Sequence, residues 1–303
     1  MLKNFLIRPF KWDDLEVLSD LISAVNEVPY IKSKSQMEDF KRSLSGPWQK
    51  PERDIFIAEC ESSAIGYVSL ELESDTGRAI ANGGVHPNFR RQKIGSALLK
   101  YATSHSSKLG LSLFQLDLPD SSTNAIGFCK SNGFEHVRTH IHLSLGKSVN
   151  LSYSLDHKYN IRGMLESDIE SITSVQNLAF SGTWGFQENT VEDIRYRIKE
   201  RHIPPADHLD IIETLDGELL GYCWSLLKQS GAVGTIGMVG IRPEAQGEGL
   251  GRAITSTGVK WLIENQANPI HITVDAENHP AVNLYKSIGF EPEWESFWYQ
   301  KII

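Results

Sequence analysis

The strongest constraint on the fold is that the second half of this 303-residue chain repeats the first. Four blocks match in order, at a nearly constant offset of 154 to 156 residues. The matched blocks begin at Ile7 and Ile161, Ile65 and Leu220, Val85 and Ile241, and Gly133 and Gly289. So long and regular a period indicates the duplication of a whole domain rather than of a short solenoid repeat.

Each copy has the same order of predicted elements. A short strand precedes amphipathic helices, and a meander of strands follows, with Asp216-Gly217 as a hairpin-turn signal in the second copy. A strand with a proline-containing turn, a helix, another strand, a short helix and closing strands complete the pattern. This predicts an α/β fold with a mixed, largely antiparallel sheet and helices on both faces. We place the domains at residues 1–145 and 159–303, with the polar stretch 146–158 as the linker.

Composition excludes several classes of function. The formal net charge of -8 argues against a broad nucleic-acid interface, and no apolar run approaches the roughly 20 residues that span a bilayer. Only three cysteines occur, far apart, which is typical of a reducing compartment and predicts a cytoplasmic protein. His140 and His142 share one face of a predicted strand without a completing ligand set, so we expect no metal site.

The stretch PEAQGEGLGRAI, residues 243–254, places three glycines just before a predicted helix. A P-loop requires Lys-Ser/Thr after its last glycine, and here Arg252-Ala253 follows Gly251. The dinucleotide fingerprint fails in both registers, because Arg252 or Ile254 occupies the position of its third glycine. Backbone amides at a helix N-terminus bind a pyrophosphate without a basic protein, and glycines let the backbone approach it.

The spacing Gln246-x-x-Gly249-x-Gly251 resembles the acetyl-CoA loop of the GNAT N-acetyltransferase superfamily. The stretch DAENHPAVNLYKSIGF, residues 275–290, is similar to the closing signature of the same family. The resemblance covers nearly the whole chain as two tandem domains, a layout similar to that of the mycothiol synthases. Its motifs specify only the part of the site that binds CoA.

The resemblance implies an N-acetyltransferase that moves an acetyl group from acetyl-CoA directly to a primary amine. Tyr285 is then the general acid that protonates the leaving thiolate, and Asn278 holds the pantetheine arm or its surroundings. A backbone N–H of the strand GMVGI stabilises the carbonyl oxygen, and Gly237 and Gly240 suit a bulge that frees this amide from its ladder. Glu213, on the predicted strand LDIIET, is a candidate base, with a solvated strand carboxylate as the alternative. The cofactor-binding residues implied in this way are Val239, Gly240, Ile241, Gln246, Gly247, Glu248, Gly249, Leu250, Gly251, Arg252 and Asn278.

The first copy departs from this pattern, so we expect a degenerate domain there. Lys93 stands where the second copy has Gly249, and Cys129 stands opposite Tyr285. A cysteine can in principle protonate a thiolate, but a small core residue is the favoured interpretation of Cys129. We therefore assign the chemistry to the C-terminal domain.

Trp184 and Phe186 lie between two predicted helices, in the connection that lines the acceptor site in the resembled family. They are the candidate substrate-binding residues for a small-molecule amine, with core packing as the alternative. Mycothiol synthases use an acidic residue near the position of Thr235, so that particular substrate is not predicted here. A non-catalytic CoA-binding or sensing module is the alternative function.

Overall fold

The computed structural model describes residues 4–27, 34–46, 48–199, 207–227 and 233–303. The chain forms two compact units. Unit 1 comprises Met1–Leu118, Ser122–Val137 and Trp298–Ile303, and unit 2 comprises Pro119–Ser121 and Arg138–Phe297. No helix in the described stretches is long and apolar enough to cross a bilayer.

Unit 1 contains a mixed sheet in the order β1-β2-β3-β4-β5, antiparallel except for the parallel pair β4–β5. Its strands are β1 (Leu6–Pro9), β2 (Ile55–Cys60), β3 (Ser63–Glu73), β4 (Arg78–Val85) and β5 (Leu113–Pro119). Its helices are α1 (Leu15–Asn26), α2 (Lys34–Ser43), α3 (Pro51–Asp54), α4 (Ile94–Lys108) and α5 (Thr123–Ser131).

Unit 2 contains the elements β6 (Glu135–Leu145), β7 (Tyr159–Gly163), α6 (Ile169–Phe180), α7 (Val191–Lys199), β8 (Asp207–Thr214), β9 (Leu219–Leu227), β10 (Gly234–Ile241), α8 (Leu250–Glu264), β11 (Ile270–Asp275), α9 (His279–Ile288) and most of β12 (Phe290–Ile302). Its sheet has the order β12-β6-β11-β10-β9-β8-β7, and β10 and β11 form its parallel pair. The tandem α/β fold with mixed sheets is therefore confirmed.

The compact units do not coincide with the two halves of the sequence. The strand β6 passes into unit 2, where His140 and Asp275 are paired in an antiparallel ladder with β11. The end of β12 passes into unit 1, where the N–H of Ile303 donates to Ser112 O over 3.0 Å. The first half of the chain thus contributes a strand to unit 2, a difference from the boundary that the sequence indicates at residue 145.

The two faces of the unit 2 sheet are covered by different helices, because successive strand residues point to opposite faces. On β9, Cys223 packs into the apolar cluster that contains α8 and α9 residues, whereas Tyr222 and Trp224 pack into the cluster of α6 and α7. The predicted hairpin turn between β8 and β9 is present, with Gly217 at φ +88°.

A three-residue ionic network joins each of the strands β1 and β7 to the helix that follows it in the sequence. Arg162 on β7 donates to both carboxylate oxygens of Asp168, which precedes α6, and to Glu213 on β8. Unit 1 has the same network, formed by Arg8, Asp14 and Glu59. Hydrogen bonds from Arg162 hold the pKa of Asp168 below its usual value.

We expect Asp168→Asn to reduce the loss in the free energy of unfolding that occurs as the pH is lowered. The pKa of Asp168 is lower in the folded protein, so its contribution is present above the ordinary carboxyl pKa and is lost as pH falls through the folded value. Because the group is only partly shielded from water, the difference should be about 1 kcal/mol. Urea unfolding of the unmodified protein and of the variant at pH 7, 4 and 3 measures this difference. Equal losses of stability in the two proteins as the pH falls would contradict this interpretation.

Candidate active site

The sheet of unit 2 opens between its two parallel strands. Ladder pairing of β10 with β11 covers Gly234–Ile236 and Ile270–Ile272 and then stops. The register with β9 shifts between Ile236 and Met238, a bulge at Gly237 of the kind that the sequence suggested. Beyond the bulge, residues 238–241 are paired with β9 alone.

The opening exposes alternate backbone amides of β10. Arg242 N donates to Leu220 O of the segment that begins β9, over 2.8 Å. In an antiparallel pair, hydrogen-bonded and non-hydrogen-bonded residues alternate, so Gly240 bonds β9 while Val239 and Ile241 direct their N–H groups away from it. The side chain of Gln246 confirms this orientation, because its Nε2 donates to Ile241 O from that side over 3.1 Å. Val239 and Ile241 are therefore the residues of β10 that offer donors to a ligand in the opening.

The glycine loop adopts a conformation that requires glycine at two positions. Gly247 and Gly249 have φ values of +85° and +79°, and Gly249 is the residue immediately before α8. An added Cβ at either position would meet no atom within 4 Å, so the loop surface there is open. Left-handed backbone, rather than crowding, is what selects glycine at these two positions.

Six consecutive backbone amides of this loop lack an acceptor in the described part of the chain. Gln246 N donates to Pro243 O and Ala253 N donates to Gly249 O. Between them, the N–H groups of residues 247–252 have no hydrogen-bond partner among the described residues. Unpaired amides at the N-terminus of a 15-residue helix carry partial positive charge and form an anion-binding cradle.

The two charged side chains of the loop are directed elsewhere. Glu248 accepts from Lys158 Nζ over 3.1 Å and from the Tyr159 hydroxyl over 2.5 Å, and these hydrogen bonds lower its pKa. The Arg252 guanidinium donates to the carbonyl oxygens of Asn150 and Ser152, in the linker region, and to a serine of α9. The cradle therefore consists of backbone dipoles rather than of side-chain charge.

Tyr285 on α9 is 8% exposed and belongs to the apolar cluster that contains Ile241 and Leu250, with Val239 packed against it. Its phenol thus lies in the packed cluster beneath the opening. Burial raises the pKa of Tyr285, which keeps the phenol protonated at neutral pH. Asn278 caps the same helix, since its side-chain oxygen accepts from Ala281 N over 3.2 Å.

The opposite face carries aromatic and ionisable side chains. Trp184, in the connection between α6 and α7, contacts the His140 ring at 6.3 Å and lies 5.9 Å from the Arg138 guanidinium. Arg138 in turn donates to Asp275 at the end of β11. Phe186 is half-buried in the same connection. The sequence pattern predicts His140 as an ordinary strand residue of the first copy, and only the passage of β6 into unit 2 reveals its place beside Trp184.

Comparison with known proteins agrees with this architecture. Residues 169–290 match the acetyltransferase (GNAT) family, and residues 51–136 match an acetyltransferase (GNAT) domain. The chain is a tandem GNAT acetyltransferase.

Relatives and solved structures of the same layout support that assignment. A mycothiol acetyltransferase of Stackebrandtia nassauensis is 29% identical over 286 residues, which cover 90% of this chain and 87% of the relative. A GCN5-related N-acetyltransferase structure from Sphaerobacter thermophilus aligns with a TM-score of 0.75 at 21% identity, covering 98% of this chain and 95% of that one. A tandem GNAT protein from the clavulanic acid biosynthesis pathway aligns with a TM-score of 0.76 at 16% identity, covering 99% and 98%.

The contacts of Glu213 favour a structural role over that of the general base, which stays a prediction. Both of its carboxylate oxygens accept from Arg162, and its side chain is 12% exposed. In unit 1, whose α5 helix contains no tyrosine, Glu59 at the equivalent position accepts from Arg8 through one carboxylate oxygen. A feature common to both copies of this acetyltransferase supports the fold and not the chemistry of one copy.

Unit 1 retains the shape of the loop but not its residues. Arg91 and Lys93 occupy the positions of Gly247 and Gly249 and have φ values of +63° and +64°. Cys129 is 2% exposed, and burial raises the pKa of its thiol to about 11, in keeping with a core residue. In the described part of the chain, no three metal-ligating side chains form a cluster.

We expect Glu213→Gln to leave the rate of acyl transfer within about twofold of the unmodified enzyme, because Glu213 does not contact the opening. Stability should fall by about 1 kcal/mol, the scale of a partly exposed charged hydrogen bond. Glu59→Gln is the matched variant in unit 1 and should show the same pair of effects. Loss of activity in Glu213→Gln with an unchanged melting temperature would restore its role as the base.

Proposed function

We propose that unit 2 transfers an acetyl group from acetyl-CoA to a small-molecule primary amine by direct attack, without a covalent acyl-enzyme. The observation that carries the proposal is the run of six unpaired amides at residues 247–252, at the edge of the opening between β10 and β11. A diphosphate fits this cradle, because it needs several converging donors and the overall charge of -8 supplies no attractive field.

The acyl end of the donor fits the opening. Val239 and Ile241 offer N–H groups to an extended ligand that runs beside β10, in the manner of an added strand. When bound, acetyl-CoA supplies the activated thioester. A Val239 N–H near the thioester carbonyl would stabilise the charge that develops on its oxygen. Tyr285 is then the proton donor for the departing sulfur, since the phenol stays protonated at the working pH.

The acceptor would approach from the face that carries Trp184 and Phe186. These side chains, with His140 and Arg138 beside Trp184, form a half-buried wall suited to a small polar molecule. Thr235 lies on β10 where an acidic residue was expected for the mycothiol precursor. We therefore propose a primary amine other than that precursor as the acceptor.

Gly249→Ala tests the cradle. An alanine at φ +79° costs about 1–2 kcal/mol, so the free loop should relax to a negative φ and return to the strained conformation on binding. We expect acetyl-CoA to bind about 5- to 30-fold more weakly, as measured by isothermal titration calorimetry. The matched control is Lys93→Gly, at the equivalent position of unit 1, which should leave the affinity of the unit 2 site unchanged.

Thiol release from acetyl-CoA, measured with a panel of amino acids, amino sugars and polyamines, separates an enzyme from a sensor. Turnover with one of these amines supports transfer. Binding of acetyl-CoA with no thiol release for any amine would instead favour a CoA-binding module, and no binding at all would exclude both.

Tyr285→Phe tests the general acid. The variant keeps the buried ring and removes the proton donor, so we expect kcat to fall by about 10²- to 10³-fold. The KM for acetyl-CoA should change little, because the cradle is untouched. Steady-state thiol release with the best amine of the panel provides the measurement.

Cys129→Ala, at the corresponding position of unit 1, is the control for this prediction and should leave kcat unchanged. An unaltered kcat in Tyr285→Phe would show that Tyr285 only packs in the core and that solvent protonates the departing thiolate.

A further inference from the structure

Tyr222 on β9 carries a buried hydroxyl that the mechanism above does not use. The residue is 0% exposed, and its hydroxyl has no hydrogen-bond partner among the described residues. Its ring lies across Gly240 of the neighbouring strand, where an added Cβ would be 2.8 Å from Cε1 and 3.4 Å from Cζ. The phenol therefore reaches from β9 over β10, and an orphan polar atom in such a place requires an explanation.

Unit 1 contains the same tyrosine with its hydroxyl satisfied. Tyr67 is paired with Gly84 as Tyr222 is paired with Gly240, and the Tyr67 hydroxyl bonds Asn82 Oδ1 over 3.1 Å. At the repeat offset of 156 residues, the counterpart of Asn82 is Met238. Unit 2 has kept the phenol and replaced its partner by a thioether, which is a poor acceptor.

The ring that carries the orphan hydroxyl covers the residue between the two amides that face the opening. Gly240, which its ring covers, is flanked by Val239 and Ile241. Tyr222 packs into the cluster of α6 and α7, whereas Tyr285 belongs to the cluster of α8 and α9 on the other face. An acyl group held next to Val239 would have one phenol on each side of the sheet.

We propose that the Tyr222 hydroxyl is a second hydrogen-bond donor, together with a β10 amide, to the carbonyl oxygen of the transferred acyl group. This rests on the proposed function of unit 2. As the C–N bond forms and the C–S bond breaks, the amine loses a proton to solvent and the sulfur gains one from Tyr285. Tyr285 then regains a proton from solvent, while Tyr222 keeps its own proton throughout. Two donors on one oxygen form the usual oxyanion hole of acyl transfer.

The burial that isolates the hydroxyl suits it to this role. Desolvation raises the pKa of Tyr222, so the hydroxyl remains a donor at neutral pH. Met238 packs against the cluster that contains Tyr222, and its unbranched side chain can move aside when the acyl group enters.

Tyr222→Phe removes the hydroxyl and keeps the ring. We expect acetyl-CoA to bind about 3- to 10-fold more weakly, the scale of one neutral hydrogen bond, while CoA binds as before because it lacks the thioester carbonyl. Calorimetry with both ligands measures this difference. The infrared band of carbonyl-¹³C acetyl-CoA should also shift in the variant towards its position in water.

Stability gives an independent readout. Tyr222→Phe removes an unsatisfied buried group, so the melting temperature should stay the same or rise by about 1–4 °C. The matched control Tyr67→Phe loses the bond to Asn82 and should lower the melting temperature, with acetyl-CoA affinity unchanged. Met238→Asn restores a hydrogen-bond partner for the hydroxyl without removing the phenol. It should therefore weaken the binding of acetyl-CoA but not the binding of CoA.

The outcomes separate this inference from the proposed function. Equal affinities for acetyl-CoA in the unmodified protein and Tyr222→Phe, with an unmoved carbonyl band, would overturn the role of Tyr222 and leave the proposed function standing. Equal weakening of CoA and acetyl-CoA with a lower melting temperature would also overturn it, in favour of a packing role. Failure of the unmodified protein to bind acetyl-CoA would overturn the proposed function itself.

Discussion

The end of the hydrogen-bond ladder between β10 and β11 determines the rest of the site. Three residues of β10 are paired with β11 and the chain bulges at Gly237. Beyond the bulge, one edge of the strand has no paired strand among the described residues. Backbone amides that are not paired within the protein need water or a ligand as their acceptor. The strand, the glycine loop that follows it and the start of α8 thus present one continuous set of donors, arranged along the path of an elongated anionic ligand.

Features that depend on the local backbone were predictable from the sequence. The repeat and the α/β class could be predicted because duplication leaves matching blocks at a constant offset. The glycine loop could be predicted because left-handed φ values require glycines at fixed positions. The bulge in β10 was anticipated for the same reason. The family is confirmed, whereas the roles of Tyr285, Asn278 and the aromatic wall stay predictions.

Features that depend on pairing between distant segments were not predictable. Glu213 looked like a free strand carboxylate, and only the position of Arg162 shows that it is neutralised. Arg252 follows the loop in sequence, yet its guanidinium is bound by the linker region. Tyr222 could have been noticed by aligning Tyr67 with it and asking what had replaced Asn82. That comparison needs the register of the strands, which the sequence does not state.

The strand exchange also affects how the chain can fold and be divided. Residues 138–145 precede most of unit 2 in the sequence but belong to it, and residues 298–303 follow unit 2 in the sequence but belong to unit 1. Unit 1 therefore cannot complete its sheet on the ribosome until residues 298–303 have been made, and its closure involves contacts between distant segments, such as the hydrogen bond between Gln115 and Gln300, which are 185 residues apart. A cut anywhere in the linker region would leave each fragment with a strand of the other, so the duplicated gene product can no longer be separated into its two ancestral domains.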